Sequence, residues 1–283
     1  MSSLLRFTDL TKINQIQENF ITYHRIFTGI PGVRYVEGDA IWIVTDGGGA
    51  PGTQMLKSNF PDDAVDQHID AVIAEMGQYT AEIDWLVFPG CRPAHLGERL
   101  AARGLAGGPD GEWQLVGEIP SLGGNWMYAD LTDFPPAPTV SEQFHIVRVS
   151  DETMLEAWRQ ISSAGFGGGE YRNFYQAYTR HGFAPDALAH HYIGYLDDQP
   201  VTSSTLLLAG GSASIYNVST PANLRRQGFG GAITYAMLVE MRRRGYAWTW
   251  IWASKLGKSV YAKLGFVPAD FGVREYQWRR RIG

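Results

Sequence analysis

Residues 224–238 read LRRQGFGGAITYAML. Arg225, Arg226 and Gln227 stand directly before Gly228, Phe229, Gly230 and Gly231, and the segment then runs on as an amphipathic helix. The first N–H groups of a helix lack intrahelical acceptors, and the macrodipole adds partial positive charge there. Two arginines at that point therefore oppose helix stability unless an anion sits among them. The three glycines strip the turn of side chains, so that backbone N–H groups can approach a phosphate closely. Two better-known phosphate motifs fail on this sequence. A dinucleotide fingerprint starting at Gly228 needs glycine where Ile233 stands, and a nucleotide-hydrolase loop ending in Gly257, Lys258 and Ser259 needs glycine where Trp252 stands.

The rest of the chain confines that anion site to one place. The formal net charge is -5, which argues against a general nucleic-acid binder, because such proteins draw their affinity from a basic surface. Hydrophobic residues make up 45% and charged residues 19% of the 283, the balance of an ordinary globular protein long enough for two domains. Cys91 is the single cysteine, so no disulfide forms within the chain and a reducing, cytoplasmic setting is expected. It lies in FPGCRPAH without an accompanying catalytic motif and reads as a packed thiol. MSSLLRFTDL turns polar too early for a secretory core, and YAWTWIWA is far short of the roughly 20 residues that span a bilayer.

The elements that position the glycine loop follow from periodicity and turn residues. TDFPPAPTVSEQ carries three prolines and reads as a linker, dividing the chain into 1–132, a linker at 133–142, and 143–283. After it, FHIVRV predicts a strand, and SDETMLEAWRQISS a helix capped by Ser150 or Asp151. EYRNFYQAYTRHG predicts a second helix that stops at Gly182. HHYIGYL, VTSSTLLLA and SASIYNVST, separated by DDQP and GG turns, predict an antiparallel meander. The helix from the glycine loop ends at Gly245, where Arg242, Arg243 and Arg244 suit its C-terminus. AWTWIWA is a strand, SKLGKSVYAKLG a short helix, and REYQWRR a last strand. This is a mixed α/β sheet flanked by helices. The first half repeats the order loosely, with helices at 12–24 and 61–77 and strands at VRYVEG, AIWIVTD and EIDWLVF. Its HLGERLAARGL echoes KLGKSVYAKLGF, which suggests a duplicated domain.

Residues 143–283 resemble the GCN5-related N-acetyltransferases throughout. Arg225, Gly228 and Gly230 are similar to that family's Arg/Gln-x-x-Gly-x-Gly/Ala pattern, IYNVST to its fourth strand, and ASKLGKSVYAKLGF to its second signature, with Tyr261 in the tyrosine position. The resemblance implies two tandem acyltransferase-like domains, acetyl-CoA as co-substrate, direct acetyl transfer to a primary amine of a small molecule or peptide, and no metal. It assigns pyrophosphate to the loop from Arg225 to Gly231, pantetheine to the main chain of Val218, Ser219 and Thr220, and proton donation to the departing thiolate to Tyr261. A free N–H near Val218 or Thr220 would serve the oxyanion. Ser254 falls where the family often has asparagine and is expected to hydrogen-bond the cofactor. The sequence departs from the family at Ser214, where many relatives carry a glutamate base; Glu170 is a substitute on an expected helix start, and His190 and His191 lie on a strand. Phe166, Tyr171, Phe174 and Tyr175 are expected to wall the acceptor. The first half lacks the loop, with Ala106 of RGLAGG where its first glycine belongs, and has Leu100 in place of the tyrosine. It reads as a degenerate copy. A longer-acyl or aminoacyl transferase, and a non-catalytic acyl-CoA sensor, stay open as alternatives.

Overall fold

The computed structural model describes residues 4–46, 51–103, 113–119 and 125–281. In chain order the first half runs β1 (Leu5–Arg6), α1 (Leu10–Arg25), β2 (Val33–Val36), β3 (Ala40–Thr45), β4 (Gln54–Ser58), α2 (Val65–Met76), β5 (Glu82–Val87), α3 (Leu96–Arg103), β6 (Trp113–Ile119) and β7 (Trp126–Asp130). The second runs β8 (Phe144–Arg148), α4 (Glu152–Gly165), α5 (Arg172–His181), β9 (Ala189–Leu196), β10 (Gln199–Ala209), β11 (Ser212–Ser219), α6 (Phe229–Arg243), β12 (Trp248–Trp252), α7 (Lys258–Ala262), β13 (Val267–Asp270) and β14 (Arg274–Arg280). Asp151, not Ser150, caps α4, its carboxylate accepting from Met154 N. No helix among the described residues is long and apolar enough to cross a membrane.

Two compact units result, one of residues 1–5 with 124–269, the other of 6–123 with 270–283. The first holds an eight-stranded sheet in the order β1-β13-β7-β12-β11-β10-β9-β8, the second a six-stranded sheet in the order β2-β3-β4-β5-β14-β6. Relative to the expected division at 133–142, two strands change places. β7 sits between β12 and β13, and β14 between β5 and β6. The β11–β12 and β4–β5 pairs are parallel, and in each the chain crosses over through a helix, α6 or α2. The mixed α/β architecture and the duplication expected from sequence are both present.

In the eight-stranded unit, Leu206, Ile215, Met237, Leu238, Met241, Ile251, Leu264 and Phe266 form a core between the sheet and α6 and α7. The proline-rich segment expected to be a linker lies against these helices as a strap. Phe134 stacks edge-on against Tyr235 at 5.4 Å with the Arg242 guanidinium over its ring, and Pro138 and Val140 lie beside Gly231 and Gly228. In the six-stranded unit, Ile16, Phe20, Ile73, Trp85 and Trp278 are fully or almost fully buried. Glu275 of β14 is only 8% exposed there, and burial, aided by the Asp84 carboxylate, raises its pKa to about 7 from an ordinary 4.5. The folded chain thus holds a proton on Glu275 that the unfolded chain has lost, so stability declines as pH rises from about 4.5 through 7. Glu275→Gln is expected to raise Tm more at pH 8 than at pH 5; an equal gain at both would show the carboxyl to be already ionised in the fold.

Candidate active site

The site forms where β11 leaves β12. The two strands share one bridge, Ser214 with Trp250. Ser214 Oγ donates to the Trp250 carbonyl at 2.7 Å and Thr249 Oγ1 to the Ala213 carbonyl at 2.9 Å, clasping the pair there. Ser214 is therefore a strand fastener. Beyond it, Asn217 and Val218 of β11 oppose Ser204 alone on β10, since Ser219 pairs with Ser203 and Tyr216 with Thr205. This bulge contains Asn217 in the left-handed region at φ 53°. A bulge bends the strand that carries it, which accounts for β11 turning away from β12. The Tyr178 hydroxyl donates to Asn217 Oδ1 at 3.2 Å from α5. Sequence reasoning missed this pair, although an asparagine late in a strand is the residue type that tolerates such a φ.

The end of β11 is tied to the end of α4. Ser219 Oγ donates to the Ile161 carbonyl at 3.1 Å, and a methyl at Gly165 would come within 3.0 Å of Thr220 N. The Arg225 guanidinium donates to the Thr220 carbonyl at 3.0 Å and to the Gly165 carbonyl at 2.8 Å. Gly165 ends α4, where a carbonyl has no intrahelical donor and a cation is favoured. Arg225 thus braces the loop against α4. Arg226, at φ 65°, and Gln227 are exposed and make no hydrogen bond among the described residues. They are the polar side chains of the loop that the fold leaves exposed and unengaged.

At the start of α6, Gly228 adopts φ +89° and supplies no side-chain cap to the N–H groups that follow. Helices α1 and α4 cap theirs with Asp9 and Asp151. Phe229 is buried and stacks on Phe144 at 5.1 Å, which anchors the turn while Gly230 and Gly231 stay partly exposed. Thr220 Oγ1 lies 3.5 Å from where a Cβ on Gly230 would sit, so the end of β11 and the opening of α6 adjoin. Val218 is partly buried against the core.

Tyr261 lies in α7, only 7% exposed, with its ring 5.8 Å from Phe266. Its hydroxyl makes no hydrogen bond among the described residues and lies 3.2 Å from the position of a Cβ on Gly257. Burial alone pushes its pKa well above the ordinary 10, so the phenol keeps its proton throughout the physiological range. Ser254 is exposed and its Oγ accepts from Gly257 N at 3.2 Å, bracing the turn into α7. Glu170 is an exposed acid 3.7 Å from Arg172. His190 and His191 point to opposite faces of β9. Burial lowers their pKa values to about 4 and about 3, leaving both neutral at physiological pH.

The six-stranded unit repeats the geometry and closes it. β4 carries a bulge against β3, and β5 pairs with β4 only at Gln54–Asp84 and Met55–Trp85. Here the gap is bridged by the chain itself, Arg92 N donating to the Ser58 carbonyl at 2.9 Å and Phe60 N to the Arg92 carbonyl at 3.1 Å. Asp62, Asp63 and Asp66 surround the start of α2 where glycines surround that of α6. Leu100 is fully buried in α3. The RGLAGG glycines and Ala106 lie outside the described residues.

No family model and no curated protein matches the sequence. Solved structures do. A GCN5-related N-acetyltransferase from Kribbella flavida superposes with a TM-score of 0.61 at 16% identity, covering 94% of this chain and 96% of that one. A tandem GNAT protein from the clavulanic acid biosynthesis pathway gives 0.57 at 13%, covering 96% and 95%. A GCN5-related N-acetyltransferase from Sphaerobacter thermophilus gives 0.55 at 15%, covering 92% and 85%. At such identities the likeness is one of fold, and the chain has the tandem GCN5-related N-acetyltransferase fold.

Proposed function

We propose that the protein is an N-acetyltransferase that moves an acetyl group from acetyl-CoA directly to a primary amine, using the eight-stranded unit. The observation that carries this reading is the cleft between β11 and β12 beyond the Ser214–Trp250 bridge. It has an uncapped, glycine-opened helix at one end and an unpartnered buried phenol in the neighbouring helix. The residues fit the co-substrate. Backbone N–H groups of Phe229, Gly230 and Gly231, with Arg226, suit a pyrophosphate. The main chain of Val218, Ser219 and Thr220 suits the amide groups of pantetheine, and an N–H at Val218 or Thr220 the oxyanion.

Acetyl-CoA supplies an activated thioester. The amine nitrogen forms the new C–N bond and gives up a proton to solvent, the C–S bond breaks, and the thiolate takes a proton from Tyr261, which solvent then restores. A phenol whose pKa exceeds that of a thiol, roughly 10 against roughly 8.5 in water, donates through position rather than acidity. The dry surroundings that raise the tyrosine also make the thiolate more basic.

Thiol release from acetyl-CoA across a panel of amines tests the reading. Turnover with at least one amine is expected; tight cofactor binding without turnover on any would make the protein a sensor instead. Calorimetric titration of the full chain with coenzyme A is expected to give one site per chain, because Arg92 fills the second cleft. A stoichiometry near two would show that the six-stranded unit also binds.

A further inference from the structure

Two aromatic surfaces flank the cleft. On the sheet, strand alternation places Tyr216 and Trp252 on the face that α4 and α5 cover, since Tyr216 pairs with Thr205, whose hydroxyl meets His191 under Tyr178. Tyr216 packs edge-on against Trp250 at 6.1 Å, and Trp252 lies parallel to Trp126 at 5.4 Å. Tyr216 and Trp252 are only partly buried although they sit on this face, Tyr216 at the bulge and Trp252 at the last position of β12. From the helices, Phe166 stacks on Tyr171 at 5.8 Å and Tyr171 on Phe174 at 4.9 Å. Phe166 is 51% exposed and directly follows Gly165, which abuts Thr220 N. The sheet surface therefore reaches Tyr216, and the helix surface lies beside Ser219 and Thr220 at the end of the same strand.

The polar groups beside them include the neutral Tyr178–Asn217 pair and the Arg225 guanidinium on the Gly165 carbonyl. The Tyr178–Asn217 hydrogen bond stands at the bulge. Of the acids towards this end of the helices, Glu156 pairs with Arg159 at 2.6 Å and Glu170, just before α5, lies 3.7 Å from Arg172, while Glu152 stands at the opposite end of α4. A polycationic acceptor needs unpaired carboxylates to replace the water around each charge. A flat apolar body needs aromatic faces and pockets.

From this we infer that the acceptor is a small arylalkylamine, its ring held between Phe166 and Trp252 and its single amino group directed to the bulge, and not a polyamine or an aminoglycoside. The inference rests on the acetyl-transfer reading. It is tested with the full chain and acetyl-CoA, comparing 2-phenylethylamine with spermidine and kanamycin by thiol release. Phenylethylamine is expected to exceed both at least tenfold in kcat/KM. Phe166→Ala and Trp252→Leu are each expected to raise its KM at least fivefold while coenzyme A affinity, read by calorimetry, stays within twofold. Phe166 is exposed enough that its variant folds even where Trp252→Leu does not. Equal or faster turnover of spermidine or kanamycin, or an unchanged KM in Phe166→Ala, overturns the inference and leaves acetyl transfer standing. Absence of thiol release with every amine tested overturns both.

Discussion

Gly230→Asp is expected to weaken coenzyme A binding at least a hundredfold, about 2.8 kcal/mol, with no loss of thermal stability. A Cβ at this position meets its nearest neighbour, Thr220 Oγ1, at an ordinary 3.5 Å. A carboxylate in the first turn of α6 complements the helix dipole, so the folded protein tolerates it or gains by it. The same carboxylate occupies the N–H cradle and repels a pyrophosphate. Gly230→Ala adds the carbon without the charge and is expected to keep affinity within a few-fold. Gly228→Asp is the less informative variant, because Gly228 sits at φ +89° with Val140 Cγ1 3.0 Å from its Cβ position, and the turn itself would shift. Calorimetry and a melting curve on the Gly230 variants decide the matter. Affinity of the aspartate variant within threefold of wild type would remove the phosphate from this loop.

Tyr261→Phe is expected to lower kcat by about 10² or more while the Michaelis constant for acetyl-CoA stays nearly constant. The hydroxyl has no hydrogen-bond partner among the described residues, so deleting it leaves no buried group stranded, and Tm should hold or rise slightly. A packing role predicts the opposite pattern, with stability moved and kcat spared. Because burial holds the phenol protonated beyond the ordinary 10, the kcat profile of the wild type is expected to show no falling limb from this group up to pH 10. A kcat reduced less than threefold would assign the proton to another donor.

What the sequence disclosed and what it hid divide by distance along the chain. The start of α6 at Phe229, the Asp151 cap and the meander of β9, β10 and β11 are set by neighbouring residues and were legible as such. β4, β7 and β13 were not. QMLKS and VPAD are too short to show an alternation, and WMYAD gains its place only from Trp252 and Trp248, which pair with it across most of the eight-stranded unit's chain. The direction of Arg225 was equally hidden, since its partner carbonyl on Gly165 is 60 residues away. Local chemistry announced a basic loop; only the fold separates Arg225, which braces it, from Arg226, which stays exposed. The same holds for the cleft in the six-stranded unit. The missing glycines were readable, but Arg92 reaching between Ser58 and Phe60 was not.

The traded strands make each half indispensable to the other's sheet. A fragment beginning at 143 would lack β7, leaving β12 and β13 each with a bare edge at the very strand that frames the cleft, and would carry β14 with no sheet to join. A fragment ending at 132 would have the reverse surplus and deficit. Neither half can be discarded alone, so a duplicated domain whose cleft its own chain bridges still cannot be lost by deletion. Cleavage within the strap likewise separates no folded product, because each severed piece keeps a strand on loan to the other.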